Sequence, residues 1–304
     1  VFPRALCKRR DKMPNSSSIS EFLLLALADT RQLQLLHFWL LLGIYLAALL
    51  GNGLISTAVA CHHRLHSPMD FFLLNLALLD LGCISTTLPK AMANALWDTR
   101  TISYSSCAAQ VFFFLFFISA EYCILTIMSY DRYVAICKPL HYGTLMDSRA
   151  CATMAAAAWA TGVLFAVLHT VNTLSLPFCH GNYLKHSSVL SECLVFIVVS
   201  YVQIFKAVLR MPSKQGRHKA FSACLPHLAV ICLLVSTGTF AYLKPPSISS
   251  PCLDLVVSFL YSMVPPAVNP LIYSLRNQGL KDTLWKLMTR FFFSDAISCP
   301  PFYD

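Results

Sequence analysis

Charge is what this chain has least of. Only 12% of its 304 residues are Asp, Glu, Lys or Arg, against 57% hydrophobic residues and a mean hydropathy of +0.61. So little charge cannot cover the surface of a soluble domain, and the composition points to a membrane protein. Seven spans with short loops use up the whole length, leaving no room for a separate soluble domain. Clusters that carry chemistry are missing too. None of the 13 cysteines forms a CxxC pair or joins a Cys/His cluster with zinc spacing, and no phosphate-binding loop or nucleophile–base pair is present. No metal site follows, and an enzyme is the least favoured class. His62-His63 is adjacent pairing rather than helical i, i+4 spacing, so it is not taken as a ligand pair. Internal repeats are absent as well, which counts against a transporter built from two related halves.

The charge that is present is unevenly placed. The net +9 invites a nucleic-acid reading, but its distribution excludes one. Of the 23 Lys and Arg, 13 flank the apolar stretches on the side holding Arg132 and five precede Met13; the other five are Arg31, Lys90, Arg100, Lys185 and Lys244 on the opposite side. This asymmetry puts Arg132 in the cytosol and the N-terminus outside, with a basic inner face suited to anionic lipid.

Residues 1–12 are basic and lack the apolar core of a signal peptide; they are read as a non-native extension ahead of Met13. Residues 13–35 form an outer segment carrying Asn15-Ser16-Ser17, a glycosylation acceptor. Residues 36–276 are predicted to hold seven membrane helices. The first covers about 36–60 and contains Asn52; the second starts at Ser67-Pro68-Met69-Asp70, a capping sequence, and runs to about 93 with Asn75 and Asp80 inside it. A lone carboxylate at that depth costs about 3 kcal/mol, so it needs a role or a proton.

The third helix begins near Cys107 and ends in MSYDRYVAICKPLHY, residues 128–142. Phe114, Ile118, Glu121, Leu125 and Arg132 fall on one stripe, since spacings of 4, 3, 4 and 7 return to the same face. For Phe114 and Ile118 both packing and ligand contact stand open. The fourth helix covers about 150–168, with small residues around Trp159 that permit close approach. The fifth is anomalous: its uninterrupted apolar core, 194–202, is short, so it spans only if 187–209 is helical and Lys206 snorkels. The sixth covers about 221–243. The seventh, about 253–275, carries Pro265, Pro266 and Pro270 and is expected to be kinked or locally unwound. Residues 277–304 are a cytosolic tail with a short amphipathic helix at 280–292.

Several of these segments read together. Gly51-Asn52, LHSPMDFFLLNLALLD (65–80), MSYDRYVAICKPLHY (128–142), Ser200-Tyr201, KAFSACLPHL (219–228) and PPAVNPLIYSLRN (265–277) make the chain resemble a vertebrate olfactory receptor of the rhodopsin-like G-protein-coupled family over nearly all of residues 13–290. The resemblance implies an all-α seven-transmembrane bundle in the plasma membrane. It implies a small, volatile, mostly apolar odorant as ligand and a stimulatory, olfactory-type heterotrimeric G protein as partner, with cyclic AMP as output. Carried onto this sequence, the pocket is Val111, Phe114, Leu115, Ile118, Ser119, Gly238, Thr239, Tyr242, Phe259 and Ser262. The activation and coupling set is Asp131, Arg132, Tyr133, Tyr201, His227, Asn269, Pro270 and Tyr273. The buried polar centre is Asn52, Asp80, Glu121 and Asn269, where a sodium ion is expected and no other cofactor; two buried carboxylates need a cation or a shared proton. Cys107 and Cys179 match the family's disulfide.

Departures from the family pattern are Asp70, which its cap position explains, Ser129, Ala223 and Pro226. The stretch CHGNYLKHSSVLSECLVF, residues 179–196, is the larger one, because the family continues its second outer loop with two further cysteines before a full fifth helix. Much of that loop and the outer half of the fifth helix are therefore expected to be missing. The alternative to a working receptor is a remnant disabled by this deletion.

Overall fold

The structure is a computed structural model that describes residues 8–9, 21–23, 30–61, 67–97, 101–175, 187–243 and 251–274, with 285, 286 and 289 near the C-terminus. Within it, side chains are described up to residue 171 of the fourth long helix, from 192 in the fifth, up to 236 in the sixth and over 262–273 in the seventh.

Seven long helices dominate the described residues: α1 Arg31–Cys61, α2 Pro68–Trp97, α3 Tyr104–Cys137, α4 Ser148–Ser175, α5 Ser187–Leu209, α6 Lys214–Leu243 and α7 Pro251–Ser274. Six of them, α1 to α6, contain described segments long and apolar enough to cross a membrane. The chain is a multi-pass helical membrane protein. α5 is helical over 23 residues, about 35 Å at 1.5 Å per residue, enough for a hydrocarbon layer of about 30 Å. A 3-10 turn, Pro139–His141, and a one-turn helix, Tyr142–Leu145, join α3 to α4.

Local chemistry explains several boundaries. The Ser67 hydroxyl donates to Asp70 Oδ2 at 2.6 Å, while the Asp70 amide donates back to Ser67 Oγ at 3.2 Å. This reciprocal box starts α2 with Pro68 in the first position, as the sequence predicts. Ser67→Ala is expected to cost about 1 kcal/mol, read as a lower melting midpoint of the detergent-solubilised protein. An unchanged midpoint would show that the box adds nothing to stability. Ser103 caps α3 in the same manner, accepting from the Ser106 amide at 3.2 Å.

A small antiparallel sheet, which no sequence pattern announces, pairs β1 (Lys8–Arg9) with β2 (Glu21–Leu23), and β2 with β3 (Thr101–Ser103). It lies where α2 hands over to α3. Lys90 Nζ donates to the Thr101 carbonyl at 3.0 Å, fixing that connection to α2.

α3 packs against α2, α4, α5 and α6. The main core gathers Phe72, Leu76, Leu79, Ile124, Leu125, Met128 and Leu234. α4 approaches α3 at Gly162: a Cβ there would stand 2.9 Å from Ala120 Cβ and 3.0 Å from the Phe116 carbonyl oxygen. Small residues at this position are what let the two backbones meet. Trp159, three residues earlier, donates its indole N–H to Asn75 Oδ1 at 2.9 Å, tying α4 to α2.

Of the kink or local unwinding expected for α7, the unwinding is not found, because one helix runs through Pro265, Pro266 and Pro270. Pro270 has no N–H, so the Pro266 carbonyl loses its i+4 donor. Asn52 of α1 supplies the replacement: its Nδ2 donates to the Pro266 oxygen at 2.8 Å and to Ala48 O at 3.1 Å. A neighbouring side chain thus re-satisfies the freed group, as a membrane interior requires. α1 can come this near because Gly51 faces Pro270, and a Cβ at that glycine would lie 2.9 Å from Pro270 Cβ.

Candidate functional site

Three sets of functional side chains lie along α3. Near its start, Val111, Phe114, Ile118 and Ser119 are buried and Leu115 is half-buried. The Ser119 hydroxyl has no hydrogen-bond partner among the described residues. Ser262 of α7 is also buried. Gly238, Thr239 and Tyr242 fall on α6 and Phe259 on α7, but their side chains lie outside the described residues. Gln110 ties this end of α3 to α2, donating to Thr86 O at 3.1 Å.

At mid-helix, Glu121 meets Asp80 of α2 and Asn269 of α7. Both carboxylates have 0% exposure. Asn269 Nδ2 donates to Asp80 at 3.1 Å (Oδ2) and 3.3 Å (Oδ1), and to Glu121 Oε1 at 3.4 Å. One amide therefore serves two acidic groups. Glu121 Oε2 and Asn269 Oδ1 remain without a hydrogen-bond partner among the described residues. Four carboxylate oxygens and an orphan amide oxygen form a donor set that fits a hard cation such as sodium. Asn52 stands aside from this cluster, held to the Pro266 carbonyl.

At the far end Asp131 is buried and Arg132 only 12% exposed; Arg132 Nη2 lies 3.5 Å from Asp131 Oδ2. Tyr142, absent from the candidates drawn from sequence, reaches back to donate its hydroxyl to Asp131 Oδ1 at 2.7 Å. Burial first, and this hydrogen bond next, push the Tyr142 phenol above its ordinary pKa, so it stays a donor. The signal was inside the quoted motif, eleven residues downstream of Asp131, but only the turn at 139–141 brings the two together. Tyr142→Phe is expected to cost about 1–2 kcal/mol, the loss of one hydrogen bond to a charged group. A lowered melting midpoint checks it, and an unmoved one would remove the contact from the stability of this end.

Between α5 and α6, buried Tyr201 and His227 share a hydrogen bond of 2.6 Å, hydroxyl to Nδ1. Ile197, Ile204, Val208, Cys224 and Ile231 pack around them as a separate core. Tyr273 is buried with its hydroxyl unpartnered among the described residues, and Arg132 Nε likewise. Tyr133 is half-buried, with the Lys138 ammonium 5.8 Å from its ring centre. Cys107 is buried near the start of α3; Cys179 and Asn15 lie outside the described residues, as does most of the amphipathic segment 280–292.

Seven long helices, a central α3 and this buried polar axis define a helical membrane receptor. Residues 51–273 match the family model described as 7 transmembrane receptor (rhodopsin family), and the chain belongs to that family. Its relatives narrow the membership to the olfactory receptors. It is 41% identical to human olfactory receptor 14C36 over 312 residues, covering 94% of this chain and 100% of that protein. It is 44% identical to human olfactory receptor 14J1, covering 91% of this chain and 95% of the relative. With human olfactory receptor 14A16 the identity is 42%, covering 91% and 98%. These are receptors, not enzymes.

Proposed function

We propose that this chain binds a small, mostly apolar odorant in the half of the bundle holding Val111, Phe114, Leu115, Ile118 and Ser119, completed by Gly238, Thr239, Tyr242, Phe259 and Ser262. It then activates a stimulatory, olfactory-type G protein from the opposite end and raises cyclic AMP. The observation that carries this reading is the layout of α3: a buried apolar stripe with one orphan hydroxyl, Ser119, on the same helix that ends in the Asp131–Arg132 pair. Such a lining suits a ligand with little polarity and at most one hydrogen-bonding group. No charged side chain among the described lining residues is available to anchor an ionic ligand.

Asp131 holds Arg132 at rest, and Arg132, once released, meets the G protein together with Tyr201 and Tyr273; Tyr133, His227, Asn269 and Pro270 support the change. Asp80 and Glu121, with Asn269, would hold a sodium ion, whose charge would offset theirs, while Asn52 stays on the Pro266 carbonyl beside them. The receptor sits in the plasma membrane with its N-terminus outside, glycosylated at Asn15 and stapled by Cys107–Cys179.

In this reading the outer connection into α5 is shorter than the family pattern, as the stretch CHGNYLKHSSVLSECLVF, residues 179–196, suggests. A shortened connection does not itself make a remnant, because α5 retains a 23-residue helix.

The test is surface staining of cells expressing the chain from Met13, with cyclic-AMP readout against an odorant panel. A ligand-dependent rise supports the reading. Protein that reaches the surface but answers no odorant, while a version with a full outer loop and α5 does, would overturn it for this sequence.

A further inference from the structure

Like α7, α6 runs as one helix through a proline, Pro226. Pro226 has no N–H, so the Ser222 carbonyl loses the donor it would meet four residues on, and the proline ring crowds it. In α7 the corresponding loss is made good by Asn52, which donates to the Pro266 carbonyl at 2.8 Å. α6 has no such prop: no described side chain donates to the Ser222 carbonyl. Ser222 is exposed near the inner end of α6, where water can enter the broken ladder.

The two sides of Pro226 also rest on different neighbours. Before it, Ala220 and Cys224 belong to the core that α5 builds from Ile197, Ile204 and Val208, and the Phe221 ring centre lies 5.6 Å from that of Phe205. After it, Val230 and Leu234 enter the main core with Leu125 and Met128. Among the described buried apolar residues beyond the proline, only Ile231 reaches back to the α5 core. Most prolines in membrane helices are fixed kinks, held by neighbours that satisfy the freed groups. A proline whose freed carbonyl is unpropped, and whose two sides pack on separate cores, is not held in that way. The Tyr201–His227 hydrogen bond of 2.6 Å ties α6 to α5 just beyond Pro226, so the stretch before it is an arm on a fixed base.

We propose that Pro226 is a hinge, and that residues 214–225 form an arm that swings about it, with the Phe205–Phe221 contact as its catch. Half-buried Tyr133, Ile136 and Cys137 at the end of α3 pack against the same core, so the angle of the arm sets how far that end is covered. From Pro226 to Lys214 the arm is about 18 Å long at about 1.5 Å per residue, and a bend of about 20° carries its tip about 6 Å. Pro226 is a positioning residue, acting through the helix it interrupts.

The test is a distance distribution in the detergent-solubilised full chain. Nitroxides on genetically encoded ketone side chains, which leave the native cysteines alone, would replace exposed Arg149 at the start of α4 and exposed Lys214 at the tip of the arm. A second pair, Arg149 with exposed Lys206 of α5, is the reference. Phe221→Ala removes the ring that holds the arm to Phe205, and it should spread the Arg149–Lys214 distances by about 6 Å while the reference pair stays put. Adding Pro226→Ala returns an amide donor to the Ser222 carbonyl and should restore the wild-type width. No spread in Phe221→Ala, or the same spread with and without Pro226, would overturn the proposal. An equal spread in the reference pair would do so too, because the looseness would then belong to the whole inner face. The measurement uses neither odorant nor G protein, so its outcome stands apart from whether the receptor signals.

Discussion

Asn269→Ala is expected to strip most of the receptor from the cell surface. Its amide is the described donor to Asp80 and Glu121, at 3.1 to 3.4 Å, and both acids have 0% exposure. Removing it takes away two or more hydrogen bonds to buried acidic groups at about 1–3 kcal/mol each. Folded proteins hold only about 5–15 kcal/mol in reserve, so a loss on the order of 4 kcal/mol shifts much of the chain into quality control. A second substitution separates this cause from a packing defect. Asp80→Asn removes one acid that needs the amide, so it should damage the Asn269→Ala background far less than its single effect predicts. Staining of an N-terminal tag on intact cells, across the four members of the cycle, reads the result. Additive losses would mean that Asp80 and Asn269 do not act through each other. Wild-type surface levels for Asn269→Ala would dismiss the centre as a stabilising feature.

Which of these contacts the sequence reveals depends on how far apart the partners lie in the chain. The α2 cap is written within four residues, Ser67 to Asp70, and local chemistry decides it. The span of α5 is legible as well, because only a helix over 187–209 reconciles its short apolar core with a membrane, and the structure has that helix. The α3 stripe follows from periodicity, with Phe114, Ile118, Glu121 and Leu125 all buried. Pairings across the bundle carry no such signal. Asn52 reads as an inward polar group, but that its partner is the carbonyl freed by Pro270, more than 200 residues on, emerges only once α1 lies against α7. That same hydrogen bond satisfies the carbonyl that Pro270 leaves without a donor inside α7. The Tyr142 contact and the β2–β3 pairing are likewise products of tertiary placement.

Arg132→Ala is expected to abolish the cyclic-AMP response while leaving the surface level near wild type. The structure gives Arg132 little to hold: its described ion pair is 3.5 Å long, its Nε is unpartnered among the described residues, and it sits at the end of α3 rather than in the core. Removing one partner of a buried pair costs about 3–5 kcal/mol when the other charge is left uncompensated, and the loss here is expected to be smaller because the contact is long and the carboxylate has a second donor. Asp131 keeps the Tyr142 hydroxyl at 2.7 Å and is not left without a donor. What disappears is the one cation of the Asp131–Arg132–Tyr133 triplet, the group proposed to contact the G protein. Asp131→Asn is the complementary change. It removes the charge that holds Arg132 while an amide oxygen can still accept from Tyr142, and it should raise ligand-free cyclic AMP. The two variants must therefore move the output in opposite directions at matched surface staining. Equal loss of surface staining in both would make the pair a structural contact, and an undiminished response in Arg132→Ala would remove the guanidinium from coupling altogether.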